Sequence, residues 1–354
     1  MSTATAPSGT SRPDVSRSGS RRRGGLLRSV GVLASLGLLL LAVLLSLGVG
    51  SVSLAPSTVV EAFTAFDGSN EHLIVRTLRL PRTLIGLVVG ASLAVAGVAM
   101  QAITRNALAS PTILGVNAGA SFAIVVAVYL LGVVTPTMYV WFAFAGALGV
   151  SVLVYGIAST GRGGATPVGL ALAGAVVTAL LGAWISAILV FDQRTLDEVR
   201  FWLAGSLAGR DLDILLQVWP FLAIGLVACL LLARQFNVIA LGDQVAAGLG
   251  QRTGLVRGVT TVLVVLLAGA SVAVAGPIGF VGLAVPHAVR SVVGPDHRWL
   301  LPYAAIHGGV LLLLADVLGR VAMRPSEIQV GIVTAIIGAP VLVHLVRRGR
   351  SAEL

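Results

Sequence analysis

Arginine is the side chain with which this sequence could do most chemistry. All 24 basic residues are Arg and none is Lys, against 14 Asp and Glu, giving a formal net charge of +10. Without Lys there can be no phosphate-binding G-x-x-x-x-G-K-[ST] loop and no Schiff base. If the protein works with ATP, another chain hydrolyses it. Cys229 is the only cysteine and falls inside an apolar run, which excludes disulfides and Cys-based metal sites. His287 could suggest a metal or proton site. No carboxylate or second His stands near it in sequence, so a structural role is expected and no metal ligand set is assigned. No nucleophile–base pairing is visible, so an enzyme is not expected. What remains is arginine at the edges of apolar segments. Arg76, Arg79 and Arg82 crowd the mouth of one, and Arg320 follows another. Such side chains can pair with carboxylates or snorkel to lipid headgroups.

The elements that must position them are membrane helices. The chain has 354 residues, 56% hydrophobic and 11% charged, with a mean hydropathy of +0.98. A soluble domain carries about 25% charged residues. Ten apolar segments can be read, at 29–50, 83–103, 113–133, 138–158, 168–190, 214–233, 255–275, 277–294, 299–318 and 328–346. The expected architecture is therefore an all-α polytopic membrane protein of about ten transmembrane helices. Residues 1–28, rich in Ser, Gly, Pro and Arg, read as a disordered tail. Residues 29–346 form the membrane domain and 347–354 a second short tail. Arginine bias sets the orientation: with both termini in the cytoplasm, sixteen of the 24 arginines lie inside and ten of the 14 acids lie at or near the outer side. The basic pI then reflects topology, not nucleic-acid binding. Ala91–Gly97 (ASLAVAG) is echoed by Ala270–Gly276 (ASVAVAG), each followed by an L-A-x-P at 108–111 and 283–286. Five helices per half would give these repeats opposite orientations, a common transporter plan.

Four stretches carry a family resemblance. The run RLPR, then GASLAVAGVAMQ, then NALASPTILGVNAGA, spans Arg79 to Ala120. FWLAGSLA covers Phe201–Ala208, FNVIALGDQVAAGLGQRTGLVRG covers Phe236–Gly258, and GPIGFVGLAVPHAVR covers Gly276–Arg290. Together they resemble the FecCD-type membrane subunits of ABC importers for iron-siderophores, haem and cobalamin. One departure is Ala107, where the family usually has Pro. The resemblance implies two inverted five-helix halves and a permease pair, identical or paralogous, with two ATPase subunits that use the ATP. It also implies an extracytoplasmic binding protein that delivers the ligand to the permease, which provides the path across the cell membrane. A ferric siderophore is the expected ligand, with haem or cobalamin as alternatives.

The resemblance also implies roles for residues. Leu241, Gly242, Asp243, Gln244, Val245, Ala246, Ala247, Gly248, Leu249, Gly250 and Gln251 would form a coupling helix that docks on the ATPase; Asp243–Leu249 can form a brief amphipathic helix flanked by Gly. Arg79, Arg82 and Arg320 would face carboxylates of the binding protein. Trp202, Gly205, Ser206 and Leu207 would line an outer gate, and Gln101 and Asn117 are polar candidates for the pathway. Asn106, Pro111, Gly115, Gly276, Pro277, Gly282, Pro286, His287 and Arg290 would hold the motif backbones; Pro277, Gly279 and Gly282 predict a broken or kinked helix start, and Pro286 a kink further in. An ion-coupled secondary transporter is the alternative class. It would need an acid near the midplane, and Asp316, toward one segment end, is the only acid inside any segment.

Overall fold

The computed structural model describes residues 17–50, 52–133, 135–160 and 166–349, all helix and connecting loop, with no strand among them. In chain order the helices are α1 (Arg17–Gly48), α2 (Pro56–Thr64), α3 (Asn70–Leu73), α4 (Leu80–Thr104), α5 (Val116–Leu131), α6 (Pro136–Ser159), α7 (Pro167–Phe191) and α8 (Gln193–Leu203). They continue with α9 (Leu212–Leu231), α10 (Ala233–Ala240), α11 (Asp243–Gly248), α12 (Thr253–Ala275), α13 (Val281–Val293), α14 (His297–Ala322) and α15 (Val330–Gly349).

Among the described residues, seven helical spans are long and apolar enough to cross a membrane. They are α1, α6, α7, α9, α12, α14 and the continuous stretch from α3 through α4. Three shorter apolar helices, α5, α13 and the apolar part of α15, coincide with the remaining expected segments. Backbone breaks account for two of these shortfalls. A 3-10 turn at Pro111–Leu114 uses up the start of the segment that ends in α5, and an irregular stretch at Gly276–Phe280 precedes α13.

α1 begins at Arg17, so helix replaces part of the tail expected to be disordered; residues 1–16 and 350–354 of the two tails lie outside the described residues. An apolar span is a ready helical nucleus, and the Arg and Ser residues before it can propagate the helix once it exists.

Between α3 and α4 the chain takes a π-helical register, Ile74–Arg79. Pro81 lacks the N–H that an α-helical ladder would use there, and the wider turn absorbs the mismatch.

α4 and α12 carry the two echoing motifs, and they are the two most buried spans, with 78% and 72% of their apolar windows inside the protein. They pack on each other. Each is followed by a backbone break and a short apolar helix. Small residues let α4 touch its neighbours by backbone. A Cβ on Gly90 would lie 2.3 Å from the Gly308 carbonyl oxygen in α14, and one on Gly97 would lie 1.9 Å from that of Gly282 in α13. No side chain fits at these crossings, which is how membrane helices gain packing without a hydrophobic driving force. α4 has 25 residues, so its ends stand about 37 Å apart. Those two ends carry the candidate site.

Candidate functional site

At the end where α4 starts, three arginines and two acids form a compact ionic cluster. Arg82 forks. Its Nε and NH2 donate to the Asp316 carboxylate at 2.8–3.0 Å, and its NH1 donates to Glu327 at 2.8 Å. Arg320, one turn beyond Asp316 on α14, pairs with Asp316 Oδ2 through its NH2 at 3.1 Å. The Asp316 and Arg320 side chains are 1% and 3% exposed, Arg82 is 13% and Glu327 33%. A buried carboxylate needs such partners, because desolvating a lone charge is very costly.

The remaining arginine donors close the end of α1. Its last carbonyls have no helical partner. Arg320 NH1 donates to the Ser46 carbonyl at 3.0 Å, and Arg79 NH1 donates to that of Leu47 at 2.6 Å. Arg79 NH2 reaches the Val52 carbonyl. Cations are favourable at a helix C-terminus. Arg76 turns toward α2, donating to the Ala62 carbonyl at 2.6 Å beneath the Phe66 ring. Three arginines were expected to face a partner, and the structure places them unequally. Arg79 and Arg320 are consumed within the chain, and only Arg82 keeps some exposure. Sequence reasoning missed Glu327 and the bare α1 terminus. Asp316 and Arg320 at i,i+4 spacing were the readable signal.

At the other end of α4, the chain leaves α9 through α10 and α11. The brief helix expected here is α11, entered through Gly242 at φ +101° and left through Gly250 at φ +78°. Ala246 packs inward and is fully buried. Leu241, Val245 and Leu249 are 60%, 50% and 65% exposed, and Gln244, Ala247 and Gly248 share their outward exposure. This is an apolar knob on a short, tied helix. Asp243 accepts from Arg105 at 3.3 Å and from Arg257 at 2.8 Å. Gln251 donates to the Gln235 carbonyl on α10 at 3.2 Å. Asn237 of α10 donates to Asp296 at 2.7 Å and accepts from the His297 N–H at 2.9 Å, tying α10 to the start of α14. The Arg298 guanidinium, with Asn237, holds the Asp296 carboxyl well below the usual carboxylate range.

The motif glycines and prolines converge although they are far apart in sequence. Gly97, Gly282 and Pro111 meet, since a Cβ on Gly282 would lie 3.3 Å from Pro111 Cδ and 3.4 Å from Gly97 Cα. Gly276 lies under Trp202, where a Cβ would come 2.3 Å from the Trp202 carbonyl oxygen. The Ser206 N–H donates to the Ala275 carbonyl at 2.8 Å, and the Gly331 N–H donates to that of Gly205 at 3.0 Å. The expected gate segment is thus threaded between the end of α12 and the start of α15, with Trp202 and Leu207 buried. α8, Gln193–Leu203, runs directly into it. Pro277 belongs to the break before α13, and Pro286 lies inside that helix. Gln101 is buried and accepts from Arg290 NH2 at 3.0 Å, which joins the first motif to the last. Asn117 is half-buried at the start of α5, away from that pair in sequence. Asn106 makes a local turn, its side chain accepting from the Leu108 N–H at 2.9 Å; Gly115 ends the 3-10 turn at φ +72°. His287 is half-buried on α13. Among the described residues no three His, Cys, Asp or Glu side chains gather to hold a metal.

Comparison with known proteins gives the chain consistent relatives. The FecCD transport family matches residues 38–348. The Probable siderophore transport system permease protein YfiZ of Bacillus subtilis (strain 168) is 47% identical over 310 residues, 88% of this chain and 93% of that protein. The ferric enterobactin transport system permease protein FepD of Escherichia coli (strain K12) is 45% identical, covering 87% and 92%. The cobalamin import system permease protein BtuC of Halobacterium salinarum (strain ATCC 700922 / JCM 11081 / NRC-1) is 42% identical, covering 78% and 74%. A solved structure of a metal-chelate type ABC transporter, in an inward-facing conformation, matches with a TM-score of 0.79 at 30% identity, covering 89% of this chain and 98% of that one.

Proposed function

Because the chain belongs to the FecCD transport family, we infer that this ABC importer permease subunit passes a ferric siderophore, delivered by a binding protein at one end of α4 and driven by an ATPase at the other. The protein is not an enzyme, and ATP is used by a partner. One observation carries the assignment of the two ends. The α11 end presents an exposed apolar knob, Val245 on the helix with Leu241 and Leu249 flanking it, while Ala246 is buried on the opposite side. Three large apolar side chains on a short polar loop favour a protein partner, since solvent gives them no return. A soluble motor needs such a raised contact to push on a membrane domain.

Orientation follows the arginine bias, with α11 and both termini in the cytoplasm of a cell-membrane protein. The opposite end then faces the binding protein, and Arg82 with Glu327 is the part of the ionic cluster still reachable there. Asp316 suits an ion-coupled carrier poorly, because its charge is already balanced by Arg82 and Arg320. The siderophore reading is supported by relatives named for siderophore, ferric citrate and ferric enterobactin transport. A cobalamin permease among the relatives makes cobalamin the second reading. A second permease, identical or paralogous, and two ATPase subunits complete the assembly by family.

Purification of the complex from its host tests this reading. A P-loop ATPase and a membrane-anchored binding protein should co-purify, and the ligand carried by that binding protein should be an iron chelate. Ala247→Arg should abolish ATPase co-purification while the permease still inserts. Ala246 is unsuitable for this test, because Arg there would fill a buried position. Retention of the ATPase by the Ala247 variant would remove α11 as its contact. For orientation, cysteine placed at Gly68 should react with an impermeant thiol reagent in intact cells, and cysteine at Ala247 should not. The reverse pattern would invert the topology.

A further inference from the structure

We infer that Asp243 is the positioning residue that passes displacement of α11 to the two central helices, α4 and α12; this rests on the reading that α11 contacts an ATPase. Its carboxylate is held from both helices at once. Oδ2 accepts from Arg105, the left-handed residue (φ +50°) that caps α4, and Oδ1 accepts from Arg257 in the first turns of α12. Those two helices are the most buried spans of the fold, and they carry the echoing small-residue motifs.

α11 is fastened at two further points. Gln251 ties its exit to α10, and Ala246 is buried beneath it. A six-residue helix is only about 9 Å long, too short to tilt freely between such ties. A push on Val245 or Leu249 must therefore move the carboxylate, and the carboxylate moves two arginines rooted in α4 and α12. Without the carboxylate, Arg105 and Arg257 would face each other with like charge and move apart. Both pairs are roughly two-fifths exposed, so each adds little to stability, which lets the linkage be cut while the fold survives. That separates a transmitting role from a structural one.

The test uses the whole importer, with permease, ATPases and binding protein, reconstituted in liposomes and supplied with the iron chelate found on its binding protein. Asp243→Asn should keep its ATPase subunits and its melting temperature. Uptake per ATP hydrolysed should fall by about fivefold, the lower end of couplings between distinct sites. Asp243→Glu should recover most of that ratio. Wild-type uptake per ATP in Asp243→Asn would overturn the inference. So would a loss of melting temperature or ATPase retention that tracks the loss of uptake, since that marks a structural role. If the unaltered permease retains no ATPase, the reading of α11 fails first and takes this inference with it.

Discussion

The two ends of α4 hold the same chemical unit in opposite surroundings. At one end Asp316 is gripped by Arg82 and Arg320, its side chain 1% exposed. At the other Asp243 is gripped by Arg105 and Arg257, its side chain 44% exposed. Both are one carboxylate between two guanidinium groups. Burial makes the first a condition of folding. Removing one partner from a buried pair leaves charge without solvent, a loss of about 3–5 kcal/mol. Exposed pairs are worth about 0–1 kcal/mol, because water replaces the lost partner. The same residues therefore lock one end of the helix and only guide the other.

The largest effect should come from Asp316→Asn. It strips the acid shared by two buried or nearly buried arginines, and folded protein in detergent extracts should fall several-fold or disappear. A melting temperature close to that of the unaltered protein would show that the outer cluster is as dispensable as the exposed one. Next comes the middle of α4, where no charge is involved. Gly97→Ala would force a methyl group within 1.9 Å of a backbone oxygen of α13, so helix separation and a stability loss of about 1–3 kcal/mol are expected. Gly182→Ala in α7, where nothing lies within 4 Å, should be neutral or slightly stabilising. Equal melting temperatures for the two variants would mean that close approach does not hold this bundle together. The smallest effects on stability should come from Glu327→Gln and Asp243→Asn, each within about 1 kcal/mol of the starting protein. A drop at Asp243 as large as at Asp316 would erase the contrast between the two ends.

Much of this was legible from residue order. Apolar run lengths located the seven membrane-length spans and the three shorter apolar helices found among the described residues, since lipid admits only backbones that bond internally. The small-residue motif of Ala91–Gly97 announced a closely packed helix, and Gly242 and Gly250 bracketed α11 as expected. The arginines were legible as important but not in their role. Arg79 and Arg320 read as partner contacts because a sequence shows charge at a segment edge without showing what lies opposite. What lies opposite is the open carbonyl end of α1, dozens to hundreds of residues away.

The division has one physical cause. Periodicity, hydropathy and backbone breakers act within a few residues, so sequence alone determined the membrane class, the places of the apolar helices, the short helix after Gly242 and the break before α13. Tertiary structure alone decided which charges are buried together, because burial depends on what the fold brings alongside. It made Asp316 a lock and Asp243 a link, gathered Gly97, Gly282 and Pro111 at one crossing, and turned two arginines inward onto a helix end.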